Sequence, residues 1–123
     1  MQPRDVSSEE LSGLLMEAML DKKGENVVRL DLRSIPNRAV DFFVICHGNS
    51  GTQVDAITES VHRTVKQATG HSPRSTEGRQ LNEWVLIDYF DVVAHVFTGP
   101  VRAFYRLEDL WADAEVFKPD VKE

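Results

Sequence analysis

Apolar residues recur along this chain at two spacings, one helical and one alternating. Leu11, Leu14, Leu15, Ala18 and Met19 keep helical spacing and predict an amphipathic helix over about 8–23. Ser7 as N-cap and Glu10 three positions into the helix form a capping box. Lys22 and Lys23 suit the negative end of the helix dipole, and Gly24 suits the position just past it. Val28, Leu30 and Leu32 then alternate with Arg29 and Asp31, which predicts a strand from Val27 to Leu32 with one wetter face. Pro36 and Asn37 mark a loop within 34–38. From Val40 to Cys46 the apolar run Phe42-Phe43-Val44-Ile45 is unbroken, the pattern of a central strand covered on both faces.

His47-Gly48-Asn49-Ser50-Gly51 is a tight strand-to-helix connection, and Ser50 with Gln53 makes a second capping box. Val54, Ile57, Val61, Val65 and Ala68 share one helical face, and Gly70 is placed to end that helix. Residues 71–82 are polar, contain Pro73 and Gly78 and have no period, so a mobile loop is expected there. Glu83–Tyr89 and Asp91–Phe97 read as two strands of a hairpin. Pro100 suits the first turn of a helix, and Val101, Phe104, Leu107, Leu110 and Trp111 support one short helix or two. From about Ala112 the chain is charged and is expected to fray. One domain over 1–112 with a tail over 113–123 follows, and its fold class is α/β (α+β), with a four-stranded mixed sheet and helices mainly on one side.

A turn centred on Phe90-Asp91 sets the hairpin register. It places Trp84 opposite Phe97, Leu86 opposite His95 and Asp88 opposite Val93 on one face. Val85 then meets Val96, Ile87 meets Ala94 and Tyr89 meets Val92 on the other. The second face is almost wholly apolar and is expected to pack on helices. The first mixes aromatic, aliphatic and polar groups. It reads either as a partly covered core side, with His95 and Asp88 satisfied internally, or as an exposed recognition surface, because Trp is favoured at binding hot spots.

Composition narrows the classes. A chain of 123 residues, 41% hydrophobic and 28% charged, is one globular domain with a core of its own. The single Cys46 cannot form an internal disulfide, which fits a reducing cytosol and a cytoplasmic location. No run approaches the ~18 apolar residues of a membrane span, and the acidic N-terminal residues Asp5, Glu9, Glu10 and Glu17 suit a mature fold better than a leader. Lys and Arg number 14 against 20 Asp and Glu, a net charge of −6. Such a domain is repelled by phosphate backbones, so no direct nucleic-acid contact is expected, whereas a basic protein partner suits the balance.

Three blocks of sequence resemble a known family. The first is Asp31, then Asp41-Phe42-Phe43-Val44-Ile45-Cys46-His47-Gly48-Asn49-Ser50 and Gln53-Val54. The second is Glu77-Gly78, then Glu83-Trp84-Val85-Leu86-Ile87-Asp88-Tyr89 and Asp91-Val92-Val93-Ala94-His95-Val96-Phe97. Arg102, Phe104-Tyr105 and Leu107-Glu108-Asp109-Leu110-Trp111 close the match, which spans about 8–112. Their order and spacing resemble the iojap-like family, the ribosomal silencing factors.

The resemblance implies a mixed-sheet αβ fold related to nucleotidyltransferases but without their catalytic residues, and no enzyme activity or cofactor. It also implies binding to ribosomal protein fourteen of the large ribosomal subunit, at the intersubunit face. A bound copy there obstructs the small subunit and represses translation. Trp84, Asp88, His95, Arg102 and Tyr105 fall on the strongest motif letters and inherit the docking role, with Leu86, Tyr89, Asp91 and Phe97 as neighbours. Trp84 and Tyr105 are the expected anchors, Asp88 and Asp91 the expected partners of Lys or Arg, and His95 is placed to hydrogen-bond and orient Asp88. Two positions depart from the family pattern. Phe90 stands where Gly is common, so a wider turn is expected, and Ser75 stands where His is common.

Competing chemistry is thin. Gly48-Asn49-Ser50 resembles the phosphate-holding turn of nucleotidyltransferases, and a divergent enzyme of that type is the alternative reading. Such enzymes hold metal ions with paired strand carboxylates; no Asp-x-Asp occurs here, and Asp113-Ala114-Glu115 lies in the tail. Cys46 in the apolar strand reads as a buried structural thiol rather than a nucleophile served by His47 or His95. The histidines have no metal-ligand spacing with it, and His62 and His71 are expected to be solvated. Trp111 follows Leu107 and Leu110 at helical spacing and reads as core. A dimeric regulatory module with a non-ribosomal partner remains a third class, and a homodimer is compatible with any of them.

Overall fold

Ser7 accepts a hydrogen bond from the backbone N–H of Glu10 (3.0 Å) and starts α1, Ser8–Asp21, in the computed structural model, which describes residues 3–119. Only half of the expected capping box forms, because the Glu10 carboxylate is taken by Arg4 at 2.7 Å. The left-handed residue at the helix end is Lys23 rather than Gly24. Gly24 answers a different demand: a Cβ there would lie 2.9 Å from the carbonyl oxygen of Met19 and 3.2 Å from Sγ of Cys46.

Two antiparallel strands follow, β1 (Glu25–Asp31) and β2 (Phe42–Gly48), and then α2 (Gly51–Thr69), ended by Gly70 at φ +80°. The chain continues through β3 (Ser75–Glu77), β4 (Trp84–Asp88), β5 (Val92–Thr98), α3 (Gly99–Tyr105), α4 (Leu107–Leu110) and β6 (Glu115–Phe117). The strands form one mixed sheet in the order β3-β4-β5-β2-β1-β6, with β2 and β5 parallel and the other pairs antiparallel.

The sheet therefore has six strands and not the expected four. Both additional strands are three-residue edges, β3 in a polar segment and β6 in one too short to show a period. β3 pairs with β4 inside the segment expected to be a mobile loop. That segment is also tied to α2: Arg79 bridges Asp55 (2.7 Å) and Glu59, and His62 meets the Thr76 hydroxyl at 3.0 Å. His62 and His71 are accordingly half-buried rather than solvated, and the His71 ring contacts the Arg4 carbonyl at 2.7 Å. β6 pairs with β1, so the tail expected to fray runs as an ordered strand at 115–117; residues 120–123 lie outside the described part.

Alternation along β2 and β5 divides the interior into two layers. Phe42, Val44 and Cys46, with Val92, Ala94 and Val96, face α1 and α2. Val85, Ile87 and Tyr89 of the hairpin join them, as the register predicts. Ile45 and Phe97 face the opposite way, with Val28, Leu30 and Leu32, under Val101, Leu107 and Trp111. The helices are thus not confined to one side: α3 and α4 cover part of the second face. Trp111 packs there, its ring edge-on to Phe43 at 5.6 Å.

Candidate docking site

The site begins with the β4–β5 ladder. Its observed register pairs Trp84 with Phe97, Leu86 with His95 and Asp88 with Val93. These side chains share the face that α3 and α4 cover only in part. The connecting turn is tight: Tyr89 N–H donates to the Val92 carbonyl at 2.9 Å, and Phe90 itself adopts φ +78°. The expected widening does not occur. The Asp88 carboxylate accepts from Phe90 N–H (2.7 Å), and the Arg74 guanidinium lies 4.3 Å from the Phe90 ring centre, so local contacts hold a conformation that Gly would adopt more cheaply.

Trp84 is the centre of an aromatic group. Its indole stacks on Phe97 with centroids 5.0 Å apart and leans on Tyr105 at 4.8 Å. Its Nε1–H donates to Nδ1 of His95 at 3.1 Å. Phe97 is fully buried and forms the floor, while Tyr105 is 49% exposed and forms a rim. The hydrogen bond expected between His95 and Asp88 is absent. The His95 ring turns instead to the indole, and burial pushes its pKa down to about 4.

Beyond Trp84 the surface opens into a mainly apolar groove of about 470 Å³, lined among others by Gly78, Leu81, Pro100, Val101 and Phe104. Leu81 is 76% and Phe104 78% exposed, unusual for large apolar side chains grouped around one hollow. Gly78 makes this arrangement possible. At φ +94°, a Cβ on it would lie 2.1 Å from the Trp84 carbonyl oxygen, so only glycine lets the 78–83 segment lie against β4. Glu83, exposed, brings a carboxylate to the edge of the groove.

The remaining expected residues fall elsewhere. Leu86 is half-buried beside His95 on the same face. Asp88 lies at the far end of that face, already paired with Arg74 at 2.7 Å. Partial burial opposes its charged form, but the hydrogen bonds from Arg74 and Phe90 outweigh this, and its pKa lies below the ordinary carboxylate value. Asp91 is exposed at the turn, and its carbonyl accepts from Asp41 N–H at 2.7 Å. Tyr89 is buried on the helix-covered side, where burial raises its phenol pKa. Arg102 is buried too: it grips Glu108, donates to the Asn26 carbonyl at 2.8 Å and reaches His47 Nδ1 at 3.1 Å. The structure therefore gathers Trp84, Leu86, His95, Phe97 and Tyr105, and separates them from Tyr89, Asp91 and Arg102.

Leu81 and Phe104 were not singled out as site residues from the sequence. Leu81 is the one large apolar residue in the polar stretch 71–82, which is a usable signal. Phe104 shows none, because it fits the helical spacing of Val101 and Leu107.

The nucleotide-type turn is filled by the protein itself. The Gln53 side chain accepts from Asn49 N–H at 2.7 Å and donates to the Lys22 and Lys23 carbonyls, while Ser50 Oγ accepts from Gln53 N–H. The N–H groups of Asn49 and Gln53 in this turn are thus already occupied. Cys46 is fully buried, and its thiol pKa is pushed up to about 12 by that burial, the state of a packing residue. Among the described residues no helix is long and apolar enough to cross a membrane.

Comparison with known proteins assigns this architecture. The family model described as "Ribosomal silencing factor during starvation" (RsfS) matches residues 5–123. The ribosomal silencing factor of Halalkalibacterium halodurans is 47% identical over 109 residues, 89% of this chain and 92% of its own. That of Bacillus subtilis is 42% identical over 94 residues, 76% of this chain and 78% of its own. A crystal structure of a Chromobacterium violaceum protein superposes with a TM-score of 0.82 at 36% identity, covering 87% of this chain and 88% of that one.

Proposed function

The chain belongs to the ribosomal silencing factor family, and on that premise we propose that it docks on ribosomal protein fourteen of the large subunit and keeps the small subunit from joining. The observation that carries this reading is the open groove beside Trp84, where Leu81, Phe104 and Tyr105 present apolar surface to solvent. A monomer gains nothing from grouping such side chains around a hollow, whereas a partner buries them all at once. The repression is steric and needs no catalysis: a bound domain occupies volume that the small subunit requires. The site of action is the cytoplasmic ribosome.

Anchoring belongs to Trp84 and Tyr105, with Phe104 and Leu81 closing around the inserted group. Electrostatic guidance comes from the net charge of −6 and from exposed carboxylates such as Glu83 and Asp91, which suit a basic ribosomal partner. Asp88, engaged by Arg74, serves the turn first. Co-sedimentation with purified large subunits tests the contact. Binding that is lost when ribosomal protein fourteen is absent from the particle supports the reading, and binding that persists without it contradicts it. A homodimer built on the same groove would compete, so affinity for the large subunit would fall as protein concentration rises.

A further inference from the structure

Trp84 and His95 do not face each other directly in the ladder, where Trp84 pairs with Phe97 and His95 with Leu86. The indole reaches the imidazole diagonally, and its Nε1–H is donated to Nδ1 at 3.1 Å. An accepting Nδ1 fixes the neutral ring with its own proton on Nε2. That ring is 4% exposed, with Phe43 perpendicular at 4.8 Å and Phe97 nearly parallel at 6.2 Å. Among the described residues Nε2 is buried and has no hydrogen-bond partner.

A residue required only to fill this space would be apolar, since a buried N–H without a partner costs stability. The polar contact that His95 makes here is to the indole. We propose that His95 is a positioning residue for docking, whose Nδ1 locks the Trp84 indole in its stack on Phe97, at the lining of the groove. His95 itself is too buried to touch a partner. Burial keeps the ring neutral at physiological pH, with its pKa pushed down to about 4, so the acceptor is always available. The lock matters because a preoriented indole does not lose rotamer freedom on binding. This inference rests on the docking role of Trp84 given above.

The test uses the full chain, labelled with nitrogen-15, and follows the indole N–H signals of its two tryptophans; Trp84→Phe identifies the Trp84 signal. In the unaltered protein at pH 7 that N–H is expected to exchange slowly with solvent. His95→Phe keeps an aromatic ring but removes the acceptor. It is expected to speed the exchange and weaken large-subunit binding, each by about tenfold. His95→Asn, whose carbonyl oxygen can stand in for Nδ1, is expected to restore both. Fast exchange in the unaltered protein overturns the proposal, as does a folded His95→Phe variant that retains slow exchange or full binding. If Trp84→Ala binds the large subunit as well as the unaltered chain, the docking reading fails instead, and the exchange data alone report whether His95 holds the indole.

Discussion

The guanidinium of Arg102 holds the carboxylate of Glu108 through two hydrogen bonds, 3.2 Å from Nε and 2.7 Å from Nη2. Its remaining nitrogen reaches the Asn26 carbonyl and His47, so one buried side chain ties α3 and α4 to the start of β1 and the end of β2. Because Tyr105 and Phe104 ride on α3, this clamp sets one wall of the groove. Removing Arg102 strips the half-buried Glu108 carboxylate of its counter-charge and the Asn26 carbonyl of a donor. Arg102→Leu is expected to lower unfolding stability by about 2–4 kcal/mol, measured in urea. A change below about 0.5 kcal/mol would assign Arg102 to the partner rather than to the fold.

Acid is expected to destabilise this domain through His95. In the unfolded chain its imidazole titrates near 6.5, whereas in the fold burial pushes the pKa down to about 4. Between those values the unfolded state binds a proton that the native state refuses. The His95 contribution is therefore complete above pH 6.5 and is lost as pH falls toward 4, by on the order of 3 kcal/mol. His47 and His62, whose pKa values are lowered mainly by burial, add to the same slope. Asp31 and Asp88, with lowered carboxyl pKa values, act only at lower pH. Urea titrations across this range check the prediction: His95→Phe should flatten the curve, and an unchanged slope would contradict it.

Phe90 adopts φ +78° with its ring 62% exposed. Glycine reaches that conformation without the Cβ clash but is more disordered when unfolded and forfeits the contact with Arg74. The clash is the larger effect, so Phe90→Gly is expected to raise stability by about 0.5–1 kcal/mol. Thermal unfolding measures it, and a lowered Tm would mean that the contact with Arg74 outweighs the strain.

The turn at Gly48-Asn49-Ser50 separates the proposed function from its enzymatic alternative. With Gln53 bonded to Asn49 N–H, a nucleotide triphosphate with magnesium is expected to leave Tm within about 1 °C of its value without ligand. A rise of several degrees would revive a nucleotide site there.

The long elements were legible in the sequence because their periods extend over many residues: both long helices and the hairpin register stand where the pattern places them, and the central strand, expected over Val40–Cys46, runs two residues later as Phe42–Gly48. The β3 and β6 edges were not. Ser75–Glu77 is polar, and Glu115–Phe117, with Val116 and Phe117 exposed, is only three residues long; both are strands because β4 and β1 offer open edges. At the site, alternation placed Trp84, His95 and Phe97 on one face correctly. It could not say that His95 turns to Trp84 and not to Asp88, because Arg74 lies 14 residues from Asp88 in sequence and takes that carboxylate. Nor could it place Gly78, whose role depends on a backbone contact with Trp84.

Subunit joining with purified ribosomal subunits tests the central claim most directly. Added protein should lower the fraction of joined particles in step with its occupancy of the large subunit. Trp84→Ala, still folded, should lose both effects together, with affinity falling by about 2 kcal/mol or more. Undiminished joining at saturating occupancy, or an equally effective Trp84→Ala variant, would contradict the account.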